Sequence, residues 1–173
     1  SLHDALPIFI RTRTKQTGQD TERSWICHRK TQCDATELIE ETGQYPNTDL
    51  LIFHCGTNDV ARDSADRVIH KFRSLEKELQ GQHSRSIALS SVCHRNNVNT
   101  HRSIRLVNAA LKLICERNNW YYIDNGNMGT ESLGDDGLHP NVHGIDLLHQ
   151  NFQKCILDVR SGCFTLNRKT KTF

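Results

Sequence analysis

Two short polar clusters in this chain hold residue types that can do proton chemistry. The stretch "GDDGLHPNVHG", Gly134 to Gly144, sets Asp136 three residues before His139 and then opens onto an apolar-periodic segment. A carboxylate accepting from one imidazole nitrogen fixes the ring's tautomer, so that the other nitrogen can take a proton from a serine or a water. The short spacing lets one loop carry both the base and the group that orients it. A second cluster, "GTND", runs through Gly56, Thr57, Asn58 and Asp59. Gly56 allows close backbone approach, and the Asn58 amide can donate a hydrogen bond to a negatively charged oxygen developing on a substrate. Taken singly, each cluster also reads as an ordinary turn. His139 and His143 have a spacing that suits a zinc pair on a helix, but His139 precedes Pro140, so the two need not share a face. No metal is expected.

The elements around these clusters decide whether they can meet. "DLLIFHC" at 49–55 is a near-continuous apolar run of strand length, as expected where both faces of a parallel strand are covered. Ala65, Val68, Ile69, Phe72, Leu75 and Leu79 then recur at helical spacing, with charged residues between them. "SIALSSV" at 86–92 reads as another strand, and Ile104, Val107, Leu111 and Ile114 line one face of a second long helix. "WYYID" at 120–124 is a third strand, and Ile145, Leu148, Phe152 and Ile156 mark a last helix beginning near Pro140 or Asn141. Upstream, "WICHR" at 25–29 is a weaker strand candidate, and "ATELIEETG" at 35–43 reads as a short helix closed by Gly43. Strands alternating with helices imply crossover units, hence a parallel sheet with helices on both faces. Ligands in such a sheet sit beyond the C-terminal strand ends, which puts "GTND" and "DGLH" on the same edge, together with "CHRNN" after the second strand.

Bulk properties narrow the partners. A 173-residue chain with 36% hydrophobic content fits one domain, and two would be cramped. The net charge of +2, with no basic stripe interleaved with aromatics, disfavours nucleic acid as a partner of this domain. Seven cysteines, an odd number without a CxxC pair, argue against a disulfide framework and for a reducing, cytoplasmic setting. No apolar run reaches the roughly 20 residues of a membrane-spanning helix. The sequence discloses no oligomeric state, and no Gly-rich phosphate loop follows a strand.

The ends are read separately. "SLHDALPI", Ser1 to Ile8, resembles the translation in one frame of a short-read sequencing adapter, and an assembly artefact is expected there. Residues 1–24 are accordingly expected to be irregular, 25–160 to form the domain, and 161–173 to be a basic tail.

An apolar strand ending in "GTND", followed much later by "DGLHPN" just before the last helix, resembles the SGNH (GDSL-type) hydrolase superfamily. The resemblance runs from about Ile26 to Val159, and is nearest to SGNH-like domains of animal genomes, some of them within the first reading frame of LINE-type retrotransposons. It implies a flavodoxin-like three-layer αβα sandwich, and hydrolysis of esters or acyl groups on a small ester or acylated substrate with no cofactor or metal. It also implies that Asn58 is an oxyanion donor, His139 the general base and Asp136 its orienting acid, with Gly56 and Thr57 in the site loop. Two departures follow. Nothing matches the family's nucleophile block, a serine at the end of the first strand, so that strand is expected to be missing and the chain to be inactive. Where the second block's glycine should fall, near "QCDATEL", stand Cys33 and Asp34, and an aspartate beside an oxyanion would repel its charge. The alternative is a non-catalytic pseudoenzyme or binding module. Cys55 and Cys93 at strand ends could be nucleophiles but read more simply as packed thiols.

Overall fold

The computed structural model describes residues 6–12, 23–27, 49–80 and 86–162. Its sheet holds β1 (Leu6–Thr12), β2 (Arg23–Cys27), β3 (Leu50–His54), β4 (Ser86–Ser90) and β5 (Tyr121–Ile123), in the spatial order β2-β1-β3-β4-β5. β3, β4 and β5 run parallel, with Leu51 beside Ile87 and Leu89 beside Tyr122. The described helices are α1 (Asp59–Arg62), α2 (Ala65–Leu79), α3 (Val98–Asn118) and α4 (Val142–Ser161), with a 3-10 turn at Thr130–Ser132 ahead of α4.

Alternation along the strands splits the core into two layers. Leu51, Phe53, Ile87 and Leu89 pack against Val68, Phe72 and Leu75 of α2 and Val107, Leu111 and Ile114 of α3. Leu50, Ile52, Ala88 and Ile123 face the other way, onto Phe152, Cys155 and Ile156 of α4. That is why "LLIF" is apolar at every position: each of its side chains is buried on one face or the other. The apolar stripes read from the sequence are thus the buried faces, except that Ile145 on α4 is exposed, and the architecture is an αβα sandwich. α2 and α3 are also joined through Glu76, which is buried but receives Nε of Arg117 at 2.6 Å, with Nη2 of Arg117 and Nδ2 of Asn118 completing its shell.

The helix ends follow their caps. Ser64 and Asn97 cap α2 and α3 by accepting from Arg67 N and Asn99 N, while Asn119 closes α3 in the left-handed region at φ 54°. Asn141 caps α4 by accepting from Gly144 N at 2.9 Å. Pro140, expected within the first turn, instead lies just before the cap and pairs in a bridge with Leu133.

Several boundaries differ from the sequence reading. The strand expected at 25–29 lies at Arg23–Cys27, and β4 ends at Ser90. Beyond Ser90, Val92 has left the ladder, and the Asn108 side chain takes over both of its backbone groups, at 2.8 and 3.0 Å. The start, expected to be irregular and set aside, contributes β1, which includes the last three of the eight adapter-like residues. β1 runs antiparallel to both neighbours, with Ile8 opposite Ile52 of β3 and Cys27 of β2, so the sheet is mixed rather than wholly parallel. The free side of β3 carries a row of backbone donors and acceptors that must be paired, and "LPIFI" is a run able to lie along it. The helix expected at 35–43, Cys33 and Asp34, and residues 163–173 lie outside the described residues.

Gly144 sets how closely α4 approaches the turn before it: a Cβ there would overlap the Ser132 carbonyl oxygen and press on Pro140. Gly144→Ala should therefore cost about 1–3 kcal/mol in urea unfolding. Gly162→Ala, at φ +65° but in open space, should cost less; equal losses would mean that this contact does not constrain the helix.

Candidate active site

β3 ends by turning sharply. Gly56 stands at φ +96°, and a Cβ there would sit 3.2 Å from the Phe72 ring and 3.3 Å from Val92. Its carbonyl accepts from Val60 N at 3.1 Å, so α1 begins as soon as the strand stops. Asn58 occupies the cap position of α1 but makes no side-chain cap bond, which leaves its amide for other partners. Asp59 is fully buried beneath it and meets Lys71 Nζ at 2.5 Å, while the same ammonium reaches Asp63 at 2.7 Å. Burial works against the Lys71 charge, but hydrogen bonds to the two carboxylates outweigh it and hold its pKa above the ordinary value. The fourth residue of "GTND" is therefore an anchor for the loop rather than a free acid.

In the second loop, Asp136 and His139 do meet. His139 Nδ1 lies 2.5 Å from Asp136 Oδ2, and the other carboxylate oxygen accepts the backbone N–H groups of Leu138 and His139, each at 2.9 Å. The His139 side chain, followed by those two backbone donors, holds the exposed Asp136 carboxyl down at about 2. Gly137, at φ +63°, turns the chain between them, and Gly134 N donates to His139 O at 2.8 Å to close the loop. The Asn141 side chain clamps it from behind through the carbonyls of Glu131 and Leu133, both at 2.9 Å.

Among the described residues no hydrogen bond joins Asn58 to Asp136 or His139. They are connected through "CHRNN", the loop after β4. Arg95 Nη1 donates to Thr57 O at 2.6 Å and to Asn58 Oδ1 at 3.2 Å, and Asn96 N donates to Gly137 O at 2.8 Å. Two consecutive residues thus hold both clusters. Because Arg95 takes Asn58 Oδ1, the Asn58 Nδ2 hydrogens are the ones left to donate. Sequence reasoning placed this loop on the right edge but gave Arg95 and Asn96 no role, since nothing in their types separates a bridge from a solvated loop. Within the same loop His94 stacks at 4.7 Å on His101, and its buried Nε2 has no partner among the described residues.

A buried polar layer lies at the same edge on the α4 side. Asn125 Nδ2 donates to Ser90 Oγ and to Ser91 O, both at 2.8 Å, and its backbone N–H donates to Ser91 Oγ at 2.9 Å. His54 Nδ1 meets Ser90 Oγ at 2.9 Å, with its ring edge-on to Phe152. Burial pushes the His54 imidazole down to about 4, so it is neutral near pH 7. Ser90 and Ser91 are therefore structural here. Burial pushes the Cys93 thiol up to about 12, and its sulfur packs 3.8 Å from Met128 Sδ. No group of three or more His, Cys, Asp or Glu among the described residues is arranged to hold a metal ion, and no described helix is long and apolar enough to cross a membrane.

No protein-family profile and no curated protein matches this sequence. Solved structures do. A GDSL-like lipase from Bacteroides thetaiotaomicron is similar at 19% identity and a TM-score of 0.53, covering 62% of this chain and 61% of that one. An acetylxylan esterase from Geobacillus stearothermophilus gives 19% identity and a TM-score of 0.54 over 70% and 67% of the two chains. A psychrotrophic esterase from a Pseudoalteromonas species gives 19% and 0.55 over 71% and 70%. The chain thus spans about three fifths of the length of the first of these. At such identities the likeness is one of fold, the αβα sandwich of GDSL-type hydrolases.

Two pH effects follow. The Asp136 carboxyl should titrate by NMR near 2. Its folded value lies below its unfolded one, so its contribution is present above about pH 4 and is lost as pH falls towards 2. A midpoint near 4 would mean that the His139 contact does not form. His54 is likewise depressed, so the neutral folded state is favoured above about pH 6.5 and loses stability down to about 4, by about 1.4 kcal/mol per pH unit. In urea unfolding that slope should be missing from His54→Gln.

Proposed function

We propose that this chain is the sandwich of a serine ester hydrolase of SGNH (GDSL) type, with Asn58 as oxyanion donor, His139 as general base and Asp136 as its orienting acid. The observation that carries this reading is the 2.5 Å contact between His139 Nδ1 and Asp136 Oδ2, on the same sheet edge as Asn58 and tied to it through Arg95 and Asn96. With Nδ1 committed to Asp136, Nε2 is the nitrogen that takes the proton from a serine hydroxyl as its oxygen attacks the acyl carbon. The carbonyl oxygen then gains the charge that Asn58 Nδ2 meets. When the tetrahedral intermediate collapses, Nε2 returns the proton to the departing alcohol, and water repeats the cycle to release the acid. Gly56 and Thr57 shape the backbone beside that oxygen. The substrate is a small ester or acylated molecule.

The chain as it stands is inactive in this reading, because the nucleophile block has no counterpart in it. Ser90 and Ser91 are held by Asn125 and His54, and no described serine bonds to His139. The same observation favours the second reading, a pseudoenzyme that keeps the sandwich as a binding platform. Buried free thiols at Cys93, Cys115 and Cys155 support a reducing, cytoplasmic setting. Kinship with retrotransposon-associated domains is part of the proposal and rests on the motif resemblance.

The 173-residue chain should not hydrolyse 4-nitrophenyl acetate above the buffer rate. Extended upstream by its own coding sequence, it should gain a serine at the end of a strand parallel to β3. Hydrolysis should then fall by roughly a thousandfold or more on His139→Ala. A rate in the extended chain that is indifferent to His139→Ala refutes the enzyme reading, and turnover by the short chain refutes its inactivity.

A further inference from the structure

Arg95 is oriented by neutral acceptors only. Its Nη1 is engaged by Thr57 O and Asn58 Oδ1, and no carboxylate pairs with it among the described residues. The opposite side of the guanidinium, formed by Nε and Nη2, has no hydrogen-bond partner among the described residues. Those atoms are not among the buried unpartnered ones, and the residue is half-buried. That Nε/Nη2 side is the one with which arginine grips a carboxylate or phosphate through two parallel hydrogen bonds.

The surrounding charge sharpens the point. Arg62, at the end of α1, is close enough to disfavour the Arg95 charge, and burial disfavours it more. The acids nearest Arg62 in sequence, Asp59 and Asp63, are both bonded to Lys71, and Asp136 is bonded to His139. Two neighbouring guanidinium groups, Arg62 and Arg95, thus have no ion pair of their own among the described residues. A half-buried arginine whose desolvated charge is raised in energy by a like neighbour gains more than a solvated one from an incoming anion.

We propose that the site selects esters bearing an anionic group, a carboxylate or a phosphate, which the Nε/Nη2 side of Arg95 receives while the scissile carbonyl lies at Asn58 Nδ2. This rests on the reading of Asn58 and His139 as the ester site. Arg95 then has two tasks from one planar group: Nη1 turns the Asn58 amide towards the substrate, and the other side holds the substrate's charge. A lysine could not do both, because its ammonium has no second face.

The test is binding, which needs no nucleophile. NMR shift titrations of the 173-residue chain compare monomethyl succinate with methyl butyrate, its neutral counterpart of similar size, and with 1-acetylglycerol 3-phosphate. At least one anionic ester should bind about tenfold tighter than the neutral one while shifting the His139 and Gly137 signals, and which of them does so separates a carboxylate on the acyl side from a phosphate on the alcohol side. Arg95→Gln should bring the ratio near one. Should that variant unfold, raising salt from about 20 to about 500 mM on the unaltered chain should shrink the preference instead. Equal binding of charged and neutral esters with His139 perturbed, or a preference that survives Arg95→Gln, overturns the selectivity and leaves the ester site standing. Failure of every ester to perturb His139 overturns the site itself and the selectivity with it.

Discussion

Parallel strands must all finish at the same end of a sheet, and the candidate site depends on that constraint. β3, β4 and β5 each end in a loop on one edge, so three segments separated by dozens of residues are delivered to one place without any one of them specifying another. The strands can run parallel because helices cover both faces. The cost is that the polar groups leaving the sheet at that edge have to be satisfied one by one. Asn108 bonding the backbone of Val92, and Asn125 bonding Ser90 and Ser91, are two such solutions. Both use asparagine, whose amide offers donor and acceptor at once.

Precision at the edge then comes from ties between loops rather than from the loops themselves. Asp136 closes its own loop by accepting three donors, which would leave that loop free to swing as a unit. Asn96 fixes it to the β4 side, and Arg95 fixes the Asn58 loop to the same segment. Beneath Asn58 the buried Asp59–Lys71 pair roots the short helix α1 on α2. Such a pair adds little net stability over apolar packing, but losing one partner would strand a buried charge at a cost of about 3–5 kcal/mol. Its value here is positional: it holds the turn that presents Asn58.

The site and the polar layer beneath it differ electrostatically. Asp136 is exposed, and its acidity comes from donors aimed at it. His54 is withdrawn from solvent and kept neutral by burial. The buried histidine fills a polar gap beside Phe152 without carrying charge. At the other side of the sheet, β1 pairs with β3 in the antiparallel sense, so the neighbour of β3 there delivers its C-terminal end to the opposite edge. A catalytic group arriving at the site from that position would need a strand of the other polarity.

Much of this was legible in the residues. Apolar period located β3, β4, β5 and the long helices, because burial on both faces of a sheet or along one stripe of a helix is a local demand that every turn of the chain must meet. Asp136 and His139 were legible as a pair, since three residues and a turn suffice to close their contact. The parallel order followed from the alternation of strands and helices, and with it the shared edge of "GTND" and "DGLH". The tertiary structure alone decided the rest. That Asp59 is a buried anchor depends on Lys71 coming from the next helix, and that Arg95 and Asn96 couple the two clusters depends on which way the loop after β4 bends. The polarity of β1 was likewise undecided, because an edge of unpaired backbone accepts a strand in either direction. Local pattern records what each segment must bury; partners distant in sequence are set only when the segments pack.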